Sequence, residues 1–220
     1  VLYPLNVDLT GQLVIVIGGG RVAERKVEGI LATRTDVDVR VIAPAVTEPL
    51  RMLADSEQID WQEGCYTKGI LEGAFLVYAA TDSPEVNAEV AFEAKERGIL
   101  VNVIDDPRAS SFQIPSTVRR GEFMLTVSTN GGSPALSRAI RMELEHLYPH
   151  SFGEWLECVA RLRTEMRAQL PNDEQRTEFW RMALRPHILS MVRDGELEKA
   201  EVELRNAALD IGAKSSNGSG

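Results

Sequence analysis

The chain has no run of about 18 consecutive apolar residues, so it offers no segment able to cross a bilayer as a helix. Cysteine is nearly absent: Cys65 and Cys158 are the only two in 220 residues. They stand far apart, without metal-ligand spacing, and read as free thiols in a reducing compartment rather than as a disulfide framework. Histidine is sparse too, with His146, His150 and His187. The first two have the spacing of one helical face, but Pro149 stands between them, so they read as surface histidines at a helix end and no metal site is expected. Positive charge is in deficit, giving a net charge of −9, which argues against non-specific nucleic-acid binding. No signal-peptide pattern precedes the first apolar run, which is already a core strand, and a cytoplasmic protein is expected. What is present is an ordinary globular composition, 44% apolar, with room for one large domain or two modest ones.

The acidity is uneven. From Arg108 to Arg141, five arginines (Arg108, Arg119, Arg120, Arg138 and Arg141) stand against one acid, Glu122, a local balance of +4. Such a stretch is either a solvated face or a surface for an anionic small ligand.

The most informative stretch is residues 13–26. A β-branched apolar run, Leu-Val-Ile-Val-Ile, ends in glycines and opens into a helix-forming segment. Gly18, Gly20 and Ala23 spell G-x-G-x-x-A, the phosphate-binding turn of a dinucleotide fold. Gly18 permits the tight turn out of the strand. Gly20, lacking a Cβ, lets a pyrophosphate approach the backbone, and Ala23 lets the helix pack close on the sheet. The helix N-terminus then offers unpaired N–H groups to the phosphates. The string alone is weak, and its place between strand and helix strengthens it; NAD(P) or FAD is the expected ligand class.

Strand and helix signals alternate through the first half. Strands are expected at 13–17, 37–42, 59–61, 75–80 and 99–104, and helices at 21–33, 46–56 and 84–97, with Pro84 in a first turn and Gly98 as a C-terminal cap. This is the pattern of an α/β, doubly wound, Rossmann-like parallel sheet with right-handed crossovers. After Asp106 the pattern changes. Residues 116–119 and 123–128 flank a hairpin turn, and a glycine-rich loop leads into a helix over 134–148, capped by Ser133 or Asn130. Beyond Pro149 the chain reads as helical, over 151–170, 173–192 and 197–209, with a polar tail over 214–220 expected to be disordered.

Polar residues fall where strands end, as ligand sites do in open α/β sheets. Thr81 and Asp82 follow one buried strand; Asn102 and Asp105 lie in and after another. Asp105 is a candidate general base beside a nicotinamide, or else part of an acidic Asp-Asp-Pro turn. The second strand ends at Ala43-Pro44, without the acidic residue that hooks a ribose 2′-OH, and no arginine suited to a 2′-phosphate is evident. The residues themselves leave NAD against NADP open.

Gly18-Gly19-Gly20-Arg21-Val22-Ala23-Glu24-Arg25-Lys26 resembles the G-G-G-x-V-A-x-R-K signature of precorrin-2 dehydrogenases, which include a module of the multifunctional sirohaem synthases. Further matches follow in order: Ala79-Ala80-Thr81-Asp82 with Asn87, Asn102 to Asp105, Ser111-Phe112-Gln113-Ile114-Pro115-Ser116, the loop from Ser128 to Pro134, and Arg176 with Phe179-Trp180. The resemblance is strong over about residues 1–150 and looser beyond. One departure is Thr129, where relatives can carry a second serine.

The resemblance implies NAD-dependent dehydrogenation of precorrin-2 to sirohydrochlorin, with Asp105 implicated in catalysis. It implies cofactor binding at Gly18, Gly19, Gly20, Arg21, Val22, Ala23, Ala43, Pro44, Thr81 and Asn102. Substrate binding is expected at Arg108, Ser111, Arg119, Arg120, Ser128, Arg138 and Arg141, because guanidinium groups pair bidentately with the carboxylates of a tetrapyrrole. It also implies a strand-exchanged homodimer, with the tetrapyrrole held between the nucleotide domain and the helices. The expected organisation is an NAD-binding domain over 1–112, a small α+β dimerisation region over 113–148, whose hairpin and single helix are too small to enclose a core alone, an all-helical domain over 149–213 and the tail. Two alternatives stand beside this: an enzyme that also inserts iron as a ferrochelatase, and a non-catalytic nucleotide sensor. No nucleic-acid or membrane partner is expected.

Overall fold

The computed structural model describes residues 2–169 and 172–216. The chain divides after Ile114 into two compact units.

The first unit is built on a parallel sheet in the order β3-β2-β1-β4-β5. Its strands are β1 (Leu13–Ile17), β2 (Asp38–Ala43), β3 (Asp60–Glu63), β4 (Leu76–Ala79) and β5 (Leu100–Val103). The helices are α1 (Arg21–Leu31), α2 (Glu48–Asp55) and α3 (Pro84–Arg97). Strand β1 is central, pairing Val16 with Val41 on one side and with Tyr78 on the other. Its unbroken apolar run follows from burial on both faces. Val14 and Val16 pack with Ala23, Val27 and Leu50 beneath α1 and α2, whereas Ile15 and Ile17 pack with Val90 and Ala94 of α3. Chain order reverses beside β1, so a crevice opens at the C-terminal ends of β1 and β4.

Helix α3 carries the end signals its sequence announces. The Ser83 hydroxyl accepts from Val86 N, Pro84 fills the first turn, and Gly98 closes the helix at φ +70°. The free edge of β5 is covered by a short segment using serine hydroxyls. Ser111 N donates to Val101 O at 2.8 Å, the Ser111 hydroxyl accepts from Val101 N at 2.8 Å, and the Ser110 hydroxyl accepts from Val103 N at 2.9 Å. An edge satisfied in this way is closed to further strand pairing.

The second unit begins with a hairpin, β6 (Ser116–Arg120) and β7 (Phe123–Val127), turning at Gly121 with φ +59°. Five helices follow: α4 (Pro134–Leu147), α5 (Ser151–Gln169), α6 (Asp173–Ala183), α7 (Pro186–Arg193) and α8 (Leu197–Ser216). Its core gathers Phe152, Trp155, Leu162, Phe179, Ile188, Val192 and Leu204.

Two helical expectations are corrected here. The single helix expected over 173–192 is two helices, because Pro186 has no N–H to donate and holds Arg185 extended at φ −69°, ψ 156°. Residues 214–216, expected in a disordered tail, form the last turn of α8; no proline ends that helix earlier. The remainder of the expected tail, 217–220, lies outside the described residues, as does Leu170, the expected end of α5. Among the described residues no helix is long and apolar enough to cross a membrane.

Candidate nucleotide-binding site

The glycine turn joins β1 to α1, and its three glycines have three different physical reasons. Gly18 adopts φ +119°, and a Cβ there would stand 2.4 Å from Ala80 O. Gly19 is pressed against the loop after β2: a Cβ would stand 2.0 Å from Ala45 O, and Gly19 O accepts from Thr47 N. Gly20 has neither constraint. Its φ is −84°, and a Cβ on it would meet nothing within 4 Å. The packing around the turn does not require glycine at 20, and the space above it is open.

Gly20 is also the N-cap of α1 and offers no side chain to the helix. The first helical bond runs from Glu24 N to Gly20 O at 3.0 Å, so the N–H groups of Arg21, Val22 and Ala23 precede it. Such donors, at the positive end of a helix, have the geometry to cradle a pyrophosphate. Ala23 is fully buried against the sheet, as close packing at the third motif position requires. The residues present therefore fit a dinucleotide.

On the β2 side, Ala43 O accepts from Trp61 Nε1 at 3.1 Å and from Gly64 N at 3.2 Å, while Pro44 is exposed. The Thr47 hydroxyl is the one buried side-chain polar atom without a partner among the described residues.

At the ends of β4 and β5 the polar side chains separate into engaged and unengaged groups. The Thr81 hydroxyl donates to Asn87 Oδ1 at 2.8 Å, and Thr81 N donates to the same oxygen at 3.1 Å. Asn87, 6% exposed, returns a bond from Nδ2 to Thr81 O. Asn102 Nδ2 donates to Phe112 O at 3.1 Å. Asp106 makes the acidic turn, its Oδ1 accepting from Arg108 N and Ala109 N at 3.0 Å each. Asp105 takes no part in that turn; it is exposed and held at φ +55°. The acidic-turn reading of the Asp-Asp-Pro stretch thus belongs to the Asp106 side chain.

The arrangement singles out two residues that the sequence presented only as part of a signature or a strand. The Lys26 ammonium lies 5.2 Å from the ring centroid of Tyr78, and the Phe112 ring meets Tyr78 edge-on at 5.8 Å. Burial, and then the charge of Arg25, hold the Lys26 ammonium below the usual lysine range. Burial pushes the Tyr78 phenol up to about 12. The R-K pair ending the glycine signature was the available signal.

The candidate substrate residues are divided between the units. In the first, Arg108 is exposed and Ser111 is committed to β5. In the second, Arg119 reaches the Met124 sulfur at 3.3 Å. Arg120 is a helix cap: Nε donates to Tyr148 O at 3.0 Å and one terminal nitrogen to Glu145 O at 3.3 Å, both at the end of α4. Arg141 pairs with Glu145, Arg138 is exposed on α4, and the exposed Ser128 hydroxyl accepts from Asn130 N. Among the described residues no group of three or more metal-ligating side chains converges.

Comparison with known proteins gives two family matches. A family described as putative NAD(P)-binding matches residues 5–116, and the sirohaem synthase dimerisation region matches residues 151–207. The second match falls on the helices that follow α4. The chain is 38% identical over 202 residues to siroheme synthase 1 of Pectobacterium atrosepticum, covering 92% of this chain and 42% of that protein. It is 36% identical over 201 residues to a siroheme synthase of Photorhabdus laumondii, with coverages of 91% and 42%. The chain thus spans less than half the length of these relatives. Its fold is that of a solved precorrin-2 dehydrogenase, SirC, with a TM-score of 0.76 at 23% identity, over 96% of this chain and 98% of that one.

Proposed function

We propose that this chain, which belongs to the family described as putative NAD(P)-binding over residues 5–116 and matches the sirohaem synthase dimerisation region over residues 151–207, is a precorrin-2 dehydrogenase that oxidises precorrin-2 to sirohydrochlorin with NAD⁺. Precorrin-2 gives up a hydride to the nicotinamide and a proton to the protein or solvent. NAD supplies the hydride acceptor; the protein supplies binding, orientation and a proton acceptor. The observation that carries this reading is the turn at Gly20, open to a ligand beside three unpaired backbone donors.

In this reading Gly18 and Gly19 shape the turn, Gly20 lets the pyrophosphate approach, and the N–H groups of Arg21, Val22 and Ala23 hold it. Ala43 and Pro44 border the adenosine end. Thr81 and Asn102 act by fixing the loops that flank the nicotinamide end. Asp105 takes the proton, and its lack of any structural bond suits that role. Arg108, Arg138 and Ser128 address substrate carboxylates, with Arg119 and Arg141 doing so in exchange for their contacts with Met124 and Glu145. Arg120 and Ser111 act on the backbone instead.

The protein is proposed to work as a homodimer in the cytoplasm. The two-stranded sheet β6–β7 has unpaired edges, and α4 exposes Leu136 at 51% and Met142 at 47%; a second copy would cover them. Cys65 and Cys158 are both free, in keeping with a reducing compartment. The test is the absorption spectrum of precorrin-2 with NAD⁺ and purified protein. Appearance of sirohydrochlorin together with NADH is expected; an unchanged spectrum with a folded protein that binds NAD⁺ rejects the dehydrogenase.

A further inference from the structure

We infer that Lys26 binds a carboxylate of the tetrapyrrole substrate. The identity of the substrate rests on the dehydrogenase reading; the residue is chosen by geometry.

Lys26 lies in the second turn of α1, half-buried, against the β4 side of the sheet. Tyr78, over which its ammonium sits, is 5% exposed and pairs across the β4–β5 ladder with Asn102. Phe112, edge-on to that ring, is fixed through its carbonyl by the Asn102 amide. The platform under the lysine is therefore held by β5 on one side and by the Phe112 ring on another. Withdrawing an ammonium from water costs free energy unless an anion or an aromatic face compensates. The Tyr78 ring compensates part of this. No carboxylate does so among the described residues: the ion pairs of this unit are Arg40–Asp60, Lys68–Glu96 and Arg97–Glu93. Glu24 and Glu28 share the helix but form no pair with Lys26. Arg21 and Arg25, on the same two turns, also have no ion-pair partner among the described residues.

A cation kept without a protein counter-ion beside a ligand crevice is set for an anion on the ligand. The cofactor's anions lie elsewhere. Its pyrophosphate is served by the backbone donors at the start of α1, and the adenosine end belongs to the β2 side of β1. Lys26 stands on the opposite side, against β4. The carboxylates of the substrate are the anions that remain.

The experiment uses the full chain and uroporphyrin, a tetrapyrrole polycarboxylate, as the probe, followed by fluorescence without turnover. Lys26→Met keeps the apolar stem and the helix; Lys26→Arg keeps the charge. The methionine variant is expected to weaken probe binding about tenfold or more, while the arginine variant stays within about threefold of wild type. NAD⁺ affinity by calorimetry is expected to hold within about twofold in both. Loss of NAD⁺ affinity with intact probe binding would make Lys26 a cofactor ligand and overturn the inference. Unchanged probe binding in Lys26→Met with a lowered melting temperature would reduce the residue to packing on Tyr78. Because no turnover is read, wild-type protein that binds the probe through Lys26 yet leaves precorrin-2 unoxidised would count against the dehydrogenase reading alone.

Discussion

A Cβ on Gly18 would stand 2.4 Å from the carbonyl oxygen of Ala80, whereas a Cβ on Gly20, two residues on, would touch nothing. Ala80 directly follows β4, so Gly18 is where the turn out of β1 passes close to the neighbouring strand's end. Gly18→Ala meets both this clash and a backbone at φ +119°. It is expected to lower stability by about 2–3 kcal/mol or more, read as an earlier thermal melt. Gly20→Asp should melt like the wild type and lose NAD⁺ binding, since its carboxylate would occupy the space of the pyrophosphate. Calorimetry showing undiminished NAD⁺ affinity in folded Gly20→Asp would remove the turn from the cofactor site.

Glu93 is a buried carboxylate, 1% exposed, that ties the loop before β4 to α3. Burial works against its charge. The Tyr66 hydroxyl at 2.6 Å, Gly69 N at 3.0 Å and Arg97 Nε at 2.8 Å together outweigh that and hold the carboxyl below the usual range. A carboxyl depressed in the folded state contributes stability that is complete above its unfolded value, about 4.3. That contribution is lost as pH falls through the folded value. The resistance of the wild type to urea should fall as the pH drops below about 4, and Glu93→Gln should lack this component while being less stable at pH 7. Parallel pH profiles for the two proteins would show that the carboxylate is not stabilising.

Arg120 spans the end of α4, reaching the carbonyls of Tyr148 and Glu145, while Arg193 donates to Leu147 O from α7. Last-turn carbonyls have no helical partner, and cations are favoured beside them. Arg120→Ala is expected to cost about 1–3 kcal/mol, followed by denaturant unfolding on the fluorescence of Trp155 and Trp180, both in this unit. Arg120→Lys should recover little, because a point ammonium does not span two carbonyls as a guanidinium does. Wild-type stability in Arg120→Ala would return this arginine to the candidates for substrate binding.

The order of strands and helices in the first unit was legible because burial on both sheet faces writes continuous apolar runs, and helix ends carry proline, serine and glycine at fixed offsets. The geometry of the candidate site was legible where it is local: the turn at 18–23 is one continuous string between β1 and α1. It was not legible where a side chain bonds to backbone distant in sequence. Arg120 meets Tyr148, Ser111 meets Val101 and Asn102 meets Phe112 through contacts that leave no spacing signal. Their charge, their polarity or the family resemblance suggested a ligand, and the backbone bonds they also make carry no sequence signal. Gly19 shows the same thing sterically, since its reason is Ala45, a residue brought near by β2. The break at Pro186 was written in the chain, but apolar residues at helical spacing on both sides made one helix of two.

Asp105 and Asp106 are adjacent and chemically identical, yet their surroundings differ and the proposed roles with them, and this makes the sharpest test of the site. Asp106 accepts two backbone N–H bonds and holds the turn; Asp105 is exposed at φ +55° with no structural bond. Asparagine tolerates the left-handed region nearly as well as aspartate does, so Asp105→Asn removes the proton acceptor without disturbing the backbone. It is expected to melt like the wild type, bind NAD⁺ normally and lose about 10²–10⁴-fold in turnover. Asp106→Ala should show the reverse: a loss of about 1 kcal/mol in stability from the missing turn bonds, with turnover per folded molecule largely kept. The measurement is single-turnover oxidation of precorrin-2 by each purified variant beside its thermal melt. If Asp105→Asn turns over like the wild type, the proton leaves to solvent or to the substrate's own carboxylates, and Asp105 has no catalytic part.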